Sequence, residues 1–283
     1  MATEHLAAPP RLAPRYLAAL LPRRRRDGTV GGRELVLDEV TVDPDRLADY
    51  CRLCGFALDG TLPTTYPQVL AFPLQLALMT EPGFPFRLPG LVHLRQRVAQ
   101  RRRIEQGRPL TLRVRAEPPR AHRRGARFDL VSELAASGET AWTGRGTYLA
   151  RGATAPGGNS DDPEPREVRS EHPAARWRVA SDTGRRYARV SGDVNPIHLH
   201  PLSARPLGFP GAVAHGMWTA ARCVASVAGR LPEAHTLDAV FRSPVALPST
   251  VELALAAVTD GWDLTLRPKH GRRPHLVASL RHA

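Results

Sequence analysis

Asp193 and His198 stand five residues apart in the stretch SGDVNPIH, which glycine, asparagine and proline mark as a tight, irregular loop after a helix. A carboxylate and an imidazole on one such loop can turn into the same cavity and move protons on one small molecule. Ser191 opens the loop. Asn195 readily bonds its own backbone in turns, so with Pro196 it is expected to organise the loop rather than to react. Ala214-His215-Gly216-Met217 then starts an apolar helix, with His215 seventeen residues after His198. The first turn of a helix has free N–H groups and a partial positive charge. Glycine there lets a ligand approach the backbone. The N–H of Gly216 therefore suits a carbonyl oxygen that gains negative charge. His215 is expected to be a structural hydrogen-bonding histidine, and Met217 to line a core or tunnel. A base, an acid and an oxyanion donor thus come from one contiguous stretch.

These residues need elements to hold them. The Gly-, Pro- and acid-rich segment 151–170 reads as a linker between residues 33–150 and 171–283. Residues 1–32 read as a loosely attached N-terminal arm. Each large part has the same order: a strand, a capped helix, a loop, an apolar helix and four strands. In the first part the strand is Leu35 to Val42, and Asp43-Pro44 opens a helix through Cys54. The apolar segment is Gln68 to Met79. Strands follow near Gly90 to Arg101, Pro109 to Ala116, Gly125 to Leu134 and Thr140 to Ala150. In the second part the order is Ala175 to Val179, a helix capped by Ser181 or Asp182 through Val190, and the apolar helix Ala214 to Leu231. Strands then come at His235 to Val245, Thr250 to Val258, Trp262 to Arg267 and His275 to Leu280. A helix apolar on most faces must be buried on most faces. The expected fold is α+β: two antiparallel sheets, each wrapped around a long central helix and joined edge to edge.

The motif D-x-N-P-x-H, followed by G-F and then A-H-G-M, resembles that of the MaoC-like (R)-specific enoyl-thioester hydratases (hydratase 2). It matches at Asp193, Asn195, Pro196, His198, Gly208, Phe209, Ala214, His215, Gly216 and Met217. The resemblance implies a tandem, or double, hot-dog fold. It also implies reversible addition of water to a trans-2-enoyl thioester, giving the (R)-3-hydroxyacyl product, with no metal and no organic cofactor. Asp193 is expected as base, His198 as its acid partner and Gly216 as oxyanion hole. Asn195, Pro196, Phe209, His215 and Met217, with Ser191, would organise the loop or bind substrate. His200 stands where many relatives have Asp, a position read as peripheral. The first half is similar to the N-terminal unit of two-hot-dog members but lacks the dyad. Its loop from Gly55 to Tyr66 offers Asp59 with no histidine. That half is expected to shape the acyl site. The alternatives on the same fold are a non-catalytic acyl-thioester-binding protein and a thioesterase.

The net charge is +13, carried by arginine, since Lys269 is the single lysine. It favours an anionic partner, and coenzyme A or acyl carrier protein fits through the shared phosphopantetheine arm. The runs Arg23 to Arg26 and Arg101 to Arg103 lack interleaved aromatics and a nucleic-acid fold signature, so no nucleic-acid partner is expected. Cys51, Cys54 and Cys223 are too few and too oddly numbered for a disulfide framework. No stretch spans a bilayer, because the longest apolar run, Gly211 to Gly229, holds His215 and Arg222. A cytoplasmic enzyme with no membrane partner is expected, and a homodimer is compatible with it. His93, His172 and His235 read as surface or strand histidines.

Overall fold

The computed structural model describes residues 2–20, 30–157 and 162–283. Arg23 to Arg26 lie outside the described residues. In chain order the elements are β1 (Ala2–Leu6), α1 (Leu12–Leu20), β2 (Arg33–Leu37), α2 (Pro44–Cys54), α3 (Pro67–Met79), β3 (Leu91–Gln100), β4 (Leu110–Ala116), β5 (Arg120–His122), β6 (Gly125–Ala136), β7 (Glu139–Arg151), β8 (Ala175–Val179), α4 (Thr183–Ser191), α5 (Pro201–Ala204), α6 (Gly216–Ala225), β9 (His235–Phe241), β10 (Ser249–Val258), β11 (Gly261–Pro268) and β12 (Leu276–His282). Apolar alternation makes the strands. Asp182 stands at the N-cap position of α4 but its side chain makes no capping bond, so the cap expected there from Ser181 or Asp182 is not formed. Asp43 caps α2, its carboxylate accepting the N–H groups of Asp45 and Arg46, and Gly55 ends that helix at φ 84°.

The strands form one 12-stranded sheet in the order β1-β2-β4-β6-β7-β3-β9-β12-β11-β10-β8, with β5 beside β6. The halves join at β3 and β9, which run antiparallel from Arg95 opposite Val240 to Gln100 opposite His235. That pairing covers one exposed edge of each half. Helix α3 packs on β4 and β6, and α6 on β11 and β12. Eleven of the thirteen α3 residues are buried, which is why the segment reads as apolar on every face. One apolar core runs through both halves and includes Leu74, Trp142, Trp218 and Leu264. This is the double hot-dog arrangement.

Some boundaries move for local reasons. Strand β2 stops at Leu37 rather than Val42, and Glu39 takes a left-handed conformation at φ 54°. Helix α6 stops at Ala225 rather than near Leu231, because Val227 leaves helical geometry at φ −126° and ψ 2°. The N-terminal arm is not loose over residues 2–20. Strand β1 pairs in parallel with β2, and α1 contacts α3. A nine-residue helix has little stability of its own and takes it from docking, so its sequence carries a weak signal. The segment between the halves is likewise pinned. Asp162 lies 3.1 Å from Arg97, Glu164 pairs with Arg242, and Glu167 lies 2.9 Å from Arg267. Asp162 and Glu167, which make it read as linker, are ion-pair partners of arginines on β3 and β11, and Glu164 is a partner of Arg242 just past β9.

Candidate active site

Helix α4 ends at Gly192, which is left-handed at φ 79° and returns its N–H to the Ala188 carbonyl. The chain then turns through a ladder of short-range bonds. The N–H of Asp193 donates to Ser191 Oγ at 3.1 Å, and that of Asn195 to Asp193 Oδ1 at 3.1 Å. Asn195 Oδ1 accepts the N–H of Ile197 at 3.4 Å, so Asn195 organises the loop. Pro196 opens one helical turn that ends at the buried His198. Gly184 makes room for it: a Cβ there would collide with the His198 carbonyl oxygen.

The two imidazoles are fixed by carbonyl oxygens. His198 Nδ1–H donates to Val213 O at 2.8 Å, which leaves Nε2 with its lone pair. His215 Nε2–H donates to the Asp193 carbonyl at 2.9 Å, and its ring stacks on that of His198 at 3.6 Å. Asp193 Oδ2 lies 3.8 Å from His215 Nε2. Asp193, His198 and His215 offer atoms within 4.8 Å of one another. Those atoms could ligate a metal ion, or two of them could share one water. Two acceptors bonded to the same water at tetrahedral angles stand roughly 4.6 Å apart.

Burial pushes the Asp193 carboxyl up. The His215 and His198 rings, the Asn195 N–H and the Tyr16 hydroxyl outweigh it and hold the group below the ordinary carboxylate range. Burial pulls His198 below the ordinary imidazole range, against the neighbouring carboxylate. Burial and the adjacent His198 bring His215 down to about 3. At neutral pH the site therefore holds an ionised carboxylate and two neutral imidazoles.

These groups share a cavity of about 600 Å³, which Ser191, Asn195, Pro196, Phe209, Gly216 and Met217 also line. All the expected site residues thus come together. Gly216 heads α6, so its N–H precedes the helical ladder, and a Cβ there would press on the Phe241 ring at 3.1 Å. His200 instead caps α5 and stays outside, accepting the Leu202 N–H at 3.1 Å. Asp59 is exposed and bonds Thr61.

The cavity also takes residues the sequence reading passed over. From the first half come Val69, Phe72 and Met79 on α3 or its end, and His93 on β3. His93 is not a surface histidine. It stacks on Tyr148 at 4.5 Å and is pulled down to about 4 by burial. Tyr16 of α1 lines the cavity and donates to Asp193 Oδ1 at 3.1 Å. Arg124, Arg151, Arg242 and Arg273 line it as well, and three of them, Arg124, Arg151 and Arg273, are exposed, which places them at its mouth. Arg101 to Arg103 do not line it. Nothing local marks Tyr16 or these arginines, since strand ends, loops and a docked helix bring them in from distant positions.

The family description "MaoC like domain" matches residues 155–271. The 3-hydroxyacyl-thioester dehydratase X of Mycobacterium tuberculosis is 38% identical over 267 residues, covering 94% of this chain and 95% of the relative. The crystal structure of HtdX from the same organism superposes with a TM-score of 0.80 at 37% identity, covering 89% of this chain and 100% of that one. A MaoC-like dehydratase from Phytophthora capsici shares the fold, with a TM-score of 0.74 at 16% identity over 88% of this chain and 95% of that one. Together with the loop that carries Asp193 and His198 and the helix that starts at Gly216, this likeness over nearly the whole length means that the chain belongs to the MaoC-like dehydratase family.

Proposed function

We propose that the chain is a hydratase/dehydratase that reversibly adds water to trans-2-enoyl thioesters of coenzyme A or acyl carrier protein, giving (R)-3-hydroxyacyl thioesters. The observation that carries the reading is the meeting of Asp193, His198 and the Gly216 N–H on one cavity. The name of the M. tuberculosis relative supports the thioester class, and the resemblance of the motif at Asp193 to His198 and Ala214 to Met217 to that of the (R)-specific hydratases supports the (R) hand.

With Asp193 ionised and His198 neutral, neither group brings a proton to the reaction. The water must supply both parts. It bridges Asp193 and His198 Nε2, loses one proton to Asp193 as its oxygen bonds C3, and the double-bond electrons move toward the thioester oxygen. The Gly216 N–H stabilises that oxygen. The proton then passes to C2, and the site returns to its starting charge. Run backwards, the same steps remove water. In this reading His198 holds the water and shares its proton, and His215 holds Asp193 and His198 in place.

We further propose a division of labour between residues 33–150 and 171–283. The second unit holds the reacting groups, and the first supplies α3 and β3 as walls for the acyl chain. The arginines at the mouth face the phosphates of the carrier.

The test is loss of absorbance at the enoyl-thioester band with crotonyl-, octenoyl- and longer enoyl-CoA, with the product resolved on a chiral column. Turnover by the native chain and not by Asp193→Asn supports the reading. Release of free thiol without loss of the double bond points to a thioesterase. Binding with neither reaction points to a non-catalytic acyl-thioester-binding protein.

A further inference from the structure

Helix α1 is attached to the first half and touches the catalytic loop of the second. Arg15 Nη1 donates to the Ala77 carbonyl at 3.3 Å and to Thr80 Oγ1 at 3.4 Å, at the C-terminal end of α3. One turn apart on a single face of the helix, Leu12 and Tyr16 reach Gly192 and its neighbours. A Cβ on Gly192 would meet Leu12 Cδ1 at 2.5 Å, so that glycine is the seat of the Leu12 side chain. The Tyr16 hydroxyl donates to Asp193 Oδ1 at 3.1 Å and accepts the Val194 N–H at 3.1 Å. It therefore grips the loop on both sides of the Asp193 peptide.

We infer that Tyr16 is a positioning residue for Asp193: with the Asn195 N–H it occupies Oδ1 and leaves Oδ2 as the oxygen that meets the substrate water. The inference rests on the proposed hydratase reading for its consequence in turnover. Its geometry rests on the contacts alone. Tyr16 is a hydrogen-bond donor that stays protonated, since burial, then the Asp193 charge, raises its hydroxyl far above the ordinary phenol range. It supplies no proton to the reaction.

The other titratable groups that face Asp193 are His198 on the same loop, His215 before α6, His93 on β3, Tyr148 on β7 and Tyr187 on α4. None of them bonds to Oδ1. Removing the Tyr16 hydroxyl leaves the carboxylate with one donor fewer, so its protonation moves to higher pH.

Tyr16→Phe tests this, because it keeps the ring and deletes the bond. A charge-assisted hydrogen bond contributes enough that kcat should fall about tenfold, with KM changed less than about twofold. The acid limb of the kcat profile should move to higher pH. The Asp193 carboxyl signal, followed by carbon NMR and identified by its loss in Asp193→Asn, should titrate at higher pH too. Leu12→Ala, which keeps the hydroxyl but loosens its helix, should move both in the same direction by less. A kcat within about twofold of the native chain overturns the inference. So does a fall in kcat with an unmoved carboxyl titration, because the ring alone would then be responsible. The NMR titration needs no turnover. A native chain that hydrates no enoyl thioester would overturn the functional reading, while the titration would still decide the Tyr16 bond.

Discussion

At the scale of single residues, the site contrasts with a pair in which one partner is an acid at rest. Both Asp193 and His198 are proton acceptors at neutral pH. Asp193→Asn and His198→Ala should each lower kcat by about 10²–10⁴-fold, with melting curves that show an intact fold. Near-native turnover in either variant would remove that residue from the mechanism. Asp59→Ala, far from the cavity, should leave crotonyl-CoA hydration within about a few-fold, as expected of an exposed residue that bonds only its own turn. The buried imidazoles also govern stability. His215 titrates near 3 in the fold and near 6.5 in the unfolded chain, so between those values the unfolded chain binds the extra proton. The stability it contributes is complete above about pH 6.5 and declines as the pH falls, by about 2 kcal/mol at pH 5. Melting temperature followed from pH 7 to 5 should therefore drop. His215→Gln, which keeps a donor for the Asp193 carbonyl, should flatten that slope, and an unchanged slope would mean that His215 is protonated in the fold.

At the scale of elements, the loop works because two helices leave it room. Helix α4 carries Gly184 under the His198 carbonyl, and α6 brings His215 and Gly216 to the same point. Gly184 needs no unusual backbone angle. It is glycine because a methyl group would strike the loop. We expect Gly184→Ala to cost about 1–3 kcal/mol as overpacking and to displace His198, lowering kcat more than it changes the melting temperature would suggest. Native kcat together with a native melting curve would show that the loop can shift without consequence. The same helix ends explain why the stretch from Ser191 to Met217 reads as a unit. The bonds from Ser191 to His198 join residues two or three positions apart, so that turn is written in local sequence, while His198 to Val213 and His215 to Asp193 close the stretch over 15 and 22 positions.

At the scale of the whole molecule, the charge of +13 becomes directional. Arg124 and Arg151 from the first half and Arg242 and Arg273 from the second converge on one cavity, although Arg242 is also paired with Glu164. If they capture a phosphorylated carrier, kcat/KM should fall as salt rises, since screening acts over about 8–10 Å near physiological ionic strength. The kcat at saturation should change less. Replacing Arg124, Arg151 and Arg273 by Gln should reproduce the salt effect. The run Arg101 to Arg103 should be a neutral control, because Arg103 faces Glu233 and none of the three lines the cavity. A kcat/KM indifferent to salt would separate the net charge from substrate capture.

The sequence by itself determined the features whose causes are local. These are the capped helix at Asp43, the alternation of most strands, the apolar segments that become α3 and α6, and the compact loop of Asp193, Asn195 and His198. Each depends on bonds or burial patterns within a few residues, so residue type and spacing were enough. Tertiary structure alone decided what distant segments contribute. Tyr16 lies 177 positions from Asp193, and only the docking of α1 brings its hydroxyl to the carboxylate. His93 turns from a strand histidine into a wall of the cavity because β3 is the seam where the halves meet. The acidic segment after Arg151 reads as a free linker until the arginines of β3, β11 and the Arg242 turn are seen to face it. Such contacts depend on which strand edges pair and on where a short helix docks, and neither leaves a periodic trace in the chain.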